Sequence, residues 1–146
     1  MIFEHDPLVK IELEQVTLTE GRYYVTPHGT KLRSVTTLLG ELTDTKAAIE
    51  AWRKRVGEEA ANKVMIQAQR RGTAVHDALE QYLYNNAMWK SKLMPINLAT
   101  VKDITPVLDA NVNLVYGVEH RLYSEELQAA GTADLICQWN GINSIK

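Results

Sequence analysis

Two places in the chain carry residues whose type and spacing suit chemistry. His76 and Glu80 stand four residues apart, so on a helix they share a face. Val75, Leu79 and Tyr82 mark a neighbouring apolar stripe, which puts His76 at its border, where a side chain can reach out from a packed scaffold. Asp134 lies in the otherwise apolar run from Ala133 to Trp139. Strand alternation places Ala133, Leu135, Cys137 and Trp139 on one face and Asp134, Ile136 and Gln138 on the other. A carboxylate in a sheet interior is costly unless it is paired or binds a cation. Glu119 holds a similar position on an earlier strand-like run, facing away from Tyr116, Val118, His120 and Leu122. Each residue also has an ordinary explanation: a helix-border His–Glu pair, or strand acids that reach water.

Positioning these groups falls first to the last sixteen residues. Asn140-Gly141 is a strong hairpin signal, because both central positions of a type I′ turn need positive φ. In a two-residue hairpin Trp139 faces Ile142, Gln138 faces Asn143, Ile136 faces Ile145 and Leu135 faces Lys146. Residue 147, one beyond the sequence, would face Asp134. Opposed residues lie about 4.5–5.5 Å apart at Cβ, so a carboxylate there would complete a two-acid cation site with Asp134.

The remaining elements follow from local pattern. Residues 8–18 alternate loosely as a strand, and Arg22-Tyr23-Tyr24-Val25 is a better one. Pro27-His28-Gly29 turns the chain and Lys31-Leu32 returns beside it. Ser34 caps a short helix that ends at Gly40, and Thr43 or Asp44 caps a longer one whose apolar period runs to Arg70, interrupted at Gly57. Gly72-Thr73 is expected to break the chain and cap a new helix to about Tyr84. Residues 85–104 are poorly periodic, with Pro95 favouring a loop. Thr105-Pro106 is expected to open a helix reaching about Leu114. Val115–Tyr123 reads as a strand, residues 124–130 as a polar connection, and the hairpin closes the sequence. The expectation is a single α+β domain: an N-terminal β element (1–33), a helical part (34–114) and a β-meander (115–146).

Composition fits that expectation. Of 146 residues, 45% are hydrophobic and 23% charged, with a net charge of -2, which suits a globular domain with a real core. Charge is uneven along the chain. Residues 31–71 carry nine basic and five acidic side chains, whereas residues 72–146 carry five and eight. A basic middle beside an acidic end suits a polyanion held against a cation site, though a charge-laced helix pair explains it as well. The lone Cys137 excludes an internal disulfide and multi-cysteine zinc motifs. Its place on the core face makes it a poor nucleophile. No apolar run approaches a membrane span and the first residues lack a targeting pattern, so a cytoplasmic location is expected. Phosphate-binding glycine loops, H-E-x-x-H and G-x-S-x-G are absent.

Three stretches, taken in order, resemble the PD-(D/E)XK nuclease superfamily, and within it RecB-like exonucleases of the phage and mitochondrial genome-maintenance type. Arg33-Ser34-Val35-Thr36-Thr37-Leu38-Leu39 resembles the entry segment of that group. Arg71-Gly72-Thr73-Ala74-Val75-His76-Asp77-Ala78-Leu79-Glu80 resembles its R-G-T-x-h-H-x-x-L-E helix. Val118 to Tyr123, with Gly131 to Ile136, resembles its first two core strands. The resemblance implies a restriction-endonuclease-like core and metal-dependent exonucleolytic hydrolysis of DNA in phage or prokaryotic DNA processing. Location would then be the cytoplasm, the host's if phage-encoded. It implies His76 and Asp134 as ligands of Mg²⁺ or Mn²⁺, with Glu119 and Glu80 beside them as catalytic residues. Lys31, Arg33, Arg70 and Arg71 would contact DNA that is single-stranded or has a free end, with Tyr24 or Trp52 as stacking partners if exposed. A replication or recombination protein is an expected partner.

The family's acid-x-Lys motif would fall at residues 147 and 149. Lys146, facing Leu135 by register, is not expected to be its lysine. The chain alone is therefore expected to be an inactive fragment. The alternative is a non-catalytic DNA- or protein-binding module on the same scaffold.

Overall fold

The computed structural model describes residues 1–146. Eleven elements follow in order: β1 (Glu4–His5), β2 (Glu14–Leu18), β3 (Gly21–Val25), β4 (Lys31–Ser34), α1 (Val35–Leu42), α2 (Thr45–Val56), α3 (Glu58–Leu83), α4 (Pro95–Asn111), β5 (Val112–Ser124), β6 (Ala129–Trp139) and β7 (Ile142–Ile145). The fold is mixed α+β. Its seven strands form one mixed sheet, hydrogen-bonded in the order β1-β5-β6-β4-β3-β2, with β7 also on β6. Contacts divide the chain into two compact units. One comprises residues 1–8, 59–119 and 134–146; the other comprises 9–58 and 120–133.

In the first unit β1 runs parallel to β5 with Glu4 opposite Leu114, and β7 runs antiparallel to β6. The hairpin register is the expected one: Ile136 opposite Ile145, Cys137 opposite Ser144, Gln138 opposite Asn143 and Trp139 opposite Ile142. Leu135 and Lys146 exchange backbone hydrogen bonds of 2.8 and 3.1 Å, which extends the same pairing by one residue. Asn140 and Gly141 have φ of 51° and 79°, the left-handed pair a type I′ turn demands. Phe3, Leu83, Leu108, Val112, Val115, Val118, Leu135 and Cys137 form the principal core, and Val75, Ala78 and Val101 a second cluster. Burial raises the pKa of the Cys137 thiol, which keeps it protonated and inert.

The helical boundaries differ from the sequence reading in two ways. First, α3 runs unbroken from Glu58 to Leu83, so Gly72-Thr73 neither ends nor starts a helix. An interior glycine costs only about 1 kcal/mol, and the packed half containing Val75, Ala78 and Leu83 outweighs it. Second, residues 95–111 are helix rather than a loop followed by a helix from Thr105. Pro95 occupies the first helical turn, where its missing N–H is no loss. Pro106 lies inside the helix, and the carbonyl of Lys102 that it cannot bond instead faces the Thr105 hydroxyl at 3.5 Å. The buried face reads Asn97, Val101, Thr105 and Leu108, half of it polar. Helix α4 thus ends at Asn111, and β5 starts at Val112 rather than Val115.

In the second unit β2, β3 and β4 are antiparallel neighbours, with Gln15 opposite Tyr24 and Tyr24 opposite Leu32. β4 continues parallel to the start of β6, with Arg33 opposite Ala129. Leu13, Tyr24, Leu32 and Ala130 form its core. Ser34 caps α1 as its sequence position implies, its Oγ accepting from the Thr37 N–H at 3.0 Å. Gly57, at φ 90°, ends α2 and bonds back to the Arg53 carbonyl.

Candidate metal centre

All four acid and histidine candidates belong to the first unit. His76 projects from the packed half of α3, one residue after buried Val75. Asp134 follows buried Ala133 and precedes buried Leu135 on β6, so its neighbours anchor the strand while its own carboxylate stays exposed. Glu119 follows buried Val118 on β5. Its φ is 49°, a left-handed conformation rare for a residue with a long side chain and worth about 1–2 kcal/mol per residue in steric cost. The kink breaks the regular pleat at the point where the carboxylate leaves the strand.

These three side chains converge. His76 Nδ1 lies 3.8 Å from Glu119 Oε1 and 4.0 Å from Asp134 Oδ1, and one ligand atom from each of the three falls within 4.8 Å of the others. Ions of the magnesium class sit about 2.1 Å from each oxygen, which separates two ligand atoms by about 3.0 Å in adjacent positions and about 4.2 Å in opposite ones. The observed distances fall near that range. The donor set is one imidazole nitrogen and two carboxylates, a set that accepts Mg²⁺ and leans toward Mn²⁺. Neither carboxylate accepts a hydrogen bond within the protein, and neither has a lysine or arginine within ion-pair distance; His76 is the sole partner of both. The side chains remain 42–61% exposed, open to an ion from solvent.

Glu80 sits one turn beyond His76 and lines the same depression, which has a volume of about 340 Å³. Its pKa is raised, first by burial and then by the charges of Glu119 and Asp77. Burial, with Glu80 and Glu119 next in order, also raises that of Tyr84. Burial is the larger cause for both groups, and the neighbouring carboxylates add to it.

The four basic candidates are divided between the two units. Lys31 and Arg33 belong to the second unit, where Lys31 Nζ lies 4.1 Å from the centre of the Tyr23 ring and Arg33 is paired with Glu41. Arg70 and Arg71 are exposed within α3, five to six residues before His76, not at a helix end. At 1.5 Å per residue that is roughly 8–9 Å along the axis. Arg71 donates to Thr100 Oγ1 at 3.0 Å. Tyr24 is 2% exposed, its hydroxyl bonded to Gln15 and Thr132, so it is no stacking partner. Trp52 is half-buried on α2.

Sequence reasoning missed several residues of the depression. Ile104 and Val107 of α4 line it, as does Trp139. So does Lys146, whose backbone faces Leu135 while its Nζ lies 4.8 Å from the centre of the Trp139 ring. The spacing of Val101, Ile104 and Leu108 was the available signal for α4. Compared with protein-family models, with curated proteins and with solved structures, the chain gives no match.

Proposed function

We infer that His76, Glu119 and Asp134 form a divalent-cation site serving hydrolysis of DNA phosphodiester bonds, in a nuclease of the PD-(D/E)XK kind with exonucleolytic action. One observation carries the reading: a helix imidazole and two strand carboxylates, far apart in sequence, meet within 4.8 Å with no other partner. The resemblance of the segments around these residues, and of residues 33–39, to RecB-like exonucleases supports the restriction-endonuclease-like version of the α+β fold. Mg²⁺ or Mn²⁺ held there would act as a Lewis acid on a phosphate ester. The protein's own part is distinct from that. Glu119 and Asp134 provide the negative charge that retains a cation, and His76 adds a neutral donor. Glu80 lines the same depression, its carboxyl pKa raised first by burial and then by Glu119 and Asp77. The ammonium of Lys146, at the edge of the same depression, offsets phosphate charge. Arg70 and Arg71, on the exposed flank of α3, contact the DNA backbone beyond the site.

The test combines binding with cleavage. Mn²⁺ titration followed by electron paramagnetic resonance should show one site that His76→Ala and Asp134→Asn abolish while circular dichroism stays unchanged. A 5′- or 3′-labelled oligonucleotide then reports hydrolysis. Mn²⁺-dependent DNA binding without cleavage is the outcome expected of this chain, and cleavage by it would overturn the acid-x-Lys expectation. A variant extended with acid-x-Lys at residues 147–149 separates the two readings: cleavage that needs both Mn²⁺ and Asp134 supports the nuclease, and its absence favours a non-catalytic binding module on this scaffold. Unaltered Mn²⁺ binding in both variants rejects the site.

A further inference from the structure

The turn that sets the hairpin register is also the most reactive peptide link in the chain. A main-chain amide nitrogen that follows an asparagine can attack the carbonyl carbon of its side chain. Glycine makes the attack easiest, because no side chain shields the nitrogen and the backbone rotates freely. Asn140 is the one asparagine of this chain that glycine follows. Both turn residues are exposed, so water reaches them. Yet the atoms that would react are engaged. The Gly141 N–H donates to Asn113 Oδ1 at 2.8 Å, and Asn140 Nδ2 donates to Asn111 Oδ1 at 2.8 Å. The Asn140 N–H donates to the Asn111 carbonyl, also at 2.8 Å. These bonds dock the turn on the junction between α4, which ends at Asn111, and the start of β5, where Asn113 is exposed.

We propose that Asn140 is a site of spontaneous deamidation gated by the fold: Asn111 and Asn113 suppress the reaction while the turn is docked, and undocking releases it. In the reaction the Gly141 nitrogen loses its proton and bonds to Asn140 Cγ. The Cγ–Nδ2 bond breaks, and Nδ2 leaves with that proton as ammonia. Water then opens the five-membered imide at either carbonyl, giving aspartate or isoaspartate at position 140. The balance is one water taken up and one ammonia lost. Docking opposes each step. Asn113 Oδ1 holds the proton that must leave, and Asn111 Oδ1 holds the departing amide. The left-handed Asn140 backbone, at φ 51° in a type I′ turn, keeps the Gly141 nitrogen out of the plane that the ring requires. Either product in turn undoes the docking. A carboxylate at position 140 offers no N–H to Asn111 Oδ1. An isoaspartyl link adds a carbon to the main chain, so Trp139 and Ile142 are no longer closed by a two-residue loop.

The test follows the intact chain at neutral pH, with mass spectrometry of the peptide that contains position 140. The folded chain should deamidate at least about tenfold more slowly than the same chain in guanidinium chloride, since only undocked molecules react. Asn113→Ala, at an exposed position where circular dichroism verifies the fold, should raise the folded-state rate about fivefold, the factor set by the net worth of one hydrogen bond. Asn113→Asp keeps an acceptor for the Gly141 N–H and should react no faster than wild type. Asn140→Gly, which suits the positive φ of the turn, should abolish the mass gain of the unfolded chain at this peptide. Equal rates in the folded and unfolded chain overturn the proposal. So does a folded-state rate that Asn113→Ala leaves unmoved, or one that Asn113→Asp raises as much as Asn113→Ala does.

Discussion

Replacing Asp134 by Asn should have opposite effects on stability with and without a divalent cation. In chelator, the Glu119 and Asp134 carboxylates lie within 4.8 Å and have only His76 as partner. Two like charges at that distance repel by about 0.9 kcal/mol in water-like surroundings, less in salt. Asn has nearly the same shape, and Asp134 accepts no hydrogen bond that the substitution breaks. The variant should therefore equal the wild type or exceed it by up to about 1 kcal/mol, a rise in Tm of about 2–4 °C for a chain of this size. Mn²⁺ reverses the order. At a hundred times its dissociation constant a ligand specific to the folded state stabilises by about 2.7 kcal/mol. The wild type should then gain about 5–11 °C, and Asp134→Asn little. Differential scanning fluorimetry in EDTA and in Mn²⁺ measures both arms. A variant more than about 1 kcal/mol less stable in EDTA, combined with an unchanged response to Mn²⁺, would show that Asp134 has a structural role and that the cation argument is wrong.

Three further outcomes are expected. Glu80 has a raised pKa in the folded chain, so its contribution to stability is full at low pH and is lost as pH rises through that value, above the ordinary glutamate range of about 4.3. Urea unfolding of wild type and Glu80→Gln from pH 4 to 7 should show the variant gaining relative stability as pH increases. Tyr82, whose hydroxyl donates to Asp109 Oδ1 at 2.7 Å, has its pKa pushed up to about 12 by burial and by that acid. Two of the six tyrosines, Tyr82 and Tyr84, should thus ionise above the ordinary tyrosine range in an absorbance titration, and Tyr82→Phe should remove one of them and cost about 1–2 kcal/mol. Ser34→Ala removes the cap of α1 and should cost about 1 kcal/mol in chemical denaturation.

What the sequence disclosed, and what it concealed, follows the range of the interactions concerned. Asn140-Gly141 and Ser34 act within a few residues, so turn and cap chemistry alone located the hairpin and the start of α1. The hairpin then placed Lys146 opposite Leu135 with no knowledge of the rest. His76, Glu119 and Asp134 were visible as polar residues on apolar elements, but their convergence depends on packing of α3 against the sheet, which no local pattern encodes. The first part of helix α4, up to Ile104, was concealed because Asn97 and Thr105, two of its four buried positions, are polar and Pro106 reads as a helix start. With residues 95–104 read as a loop, Ile104 could not be recognised as part of the depression. Gly72 misled in the other direction: a strong local breaker was overridden by the burial of Val75, Ala78 and Leu83.

The left-handed backbone at Glu119 has a consequence of its own. Where a carboxylate is usually aimed by the choice of side-chain rotamer, that of Glu119 is aimed by a main-chain torsion in the middle of β5. That angle cannot relax alone, because a large change of φ in mid-strand redirects the rest of the chain, so ordinary strand geometry at residue 119 would need compensating changes in the neighbouring torsions of β5. An ion held by Glu119 would fix the torsion further. Amide hydrogen exchange around residue 119 should then slow on Mn²⁺ addition far more than exchange in the hairpin, making this peptide the molecule's reporter of occupancy.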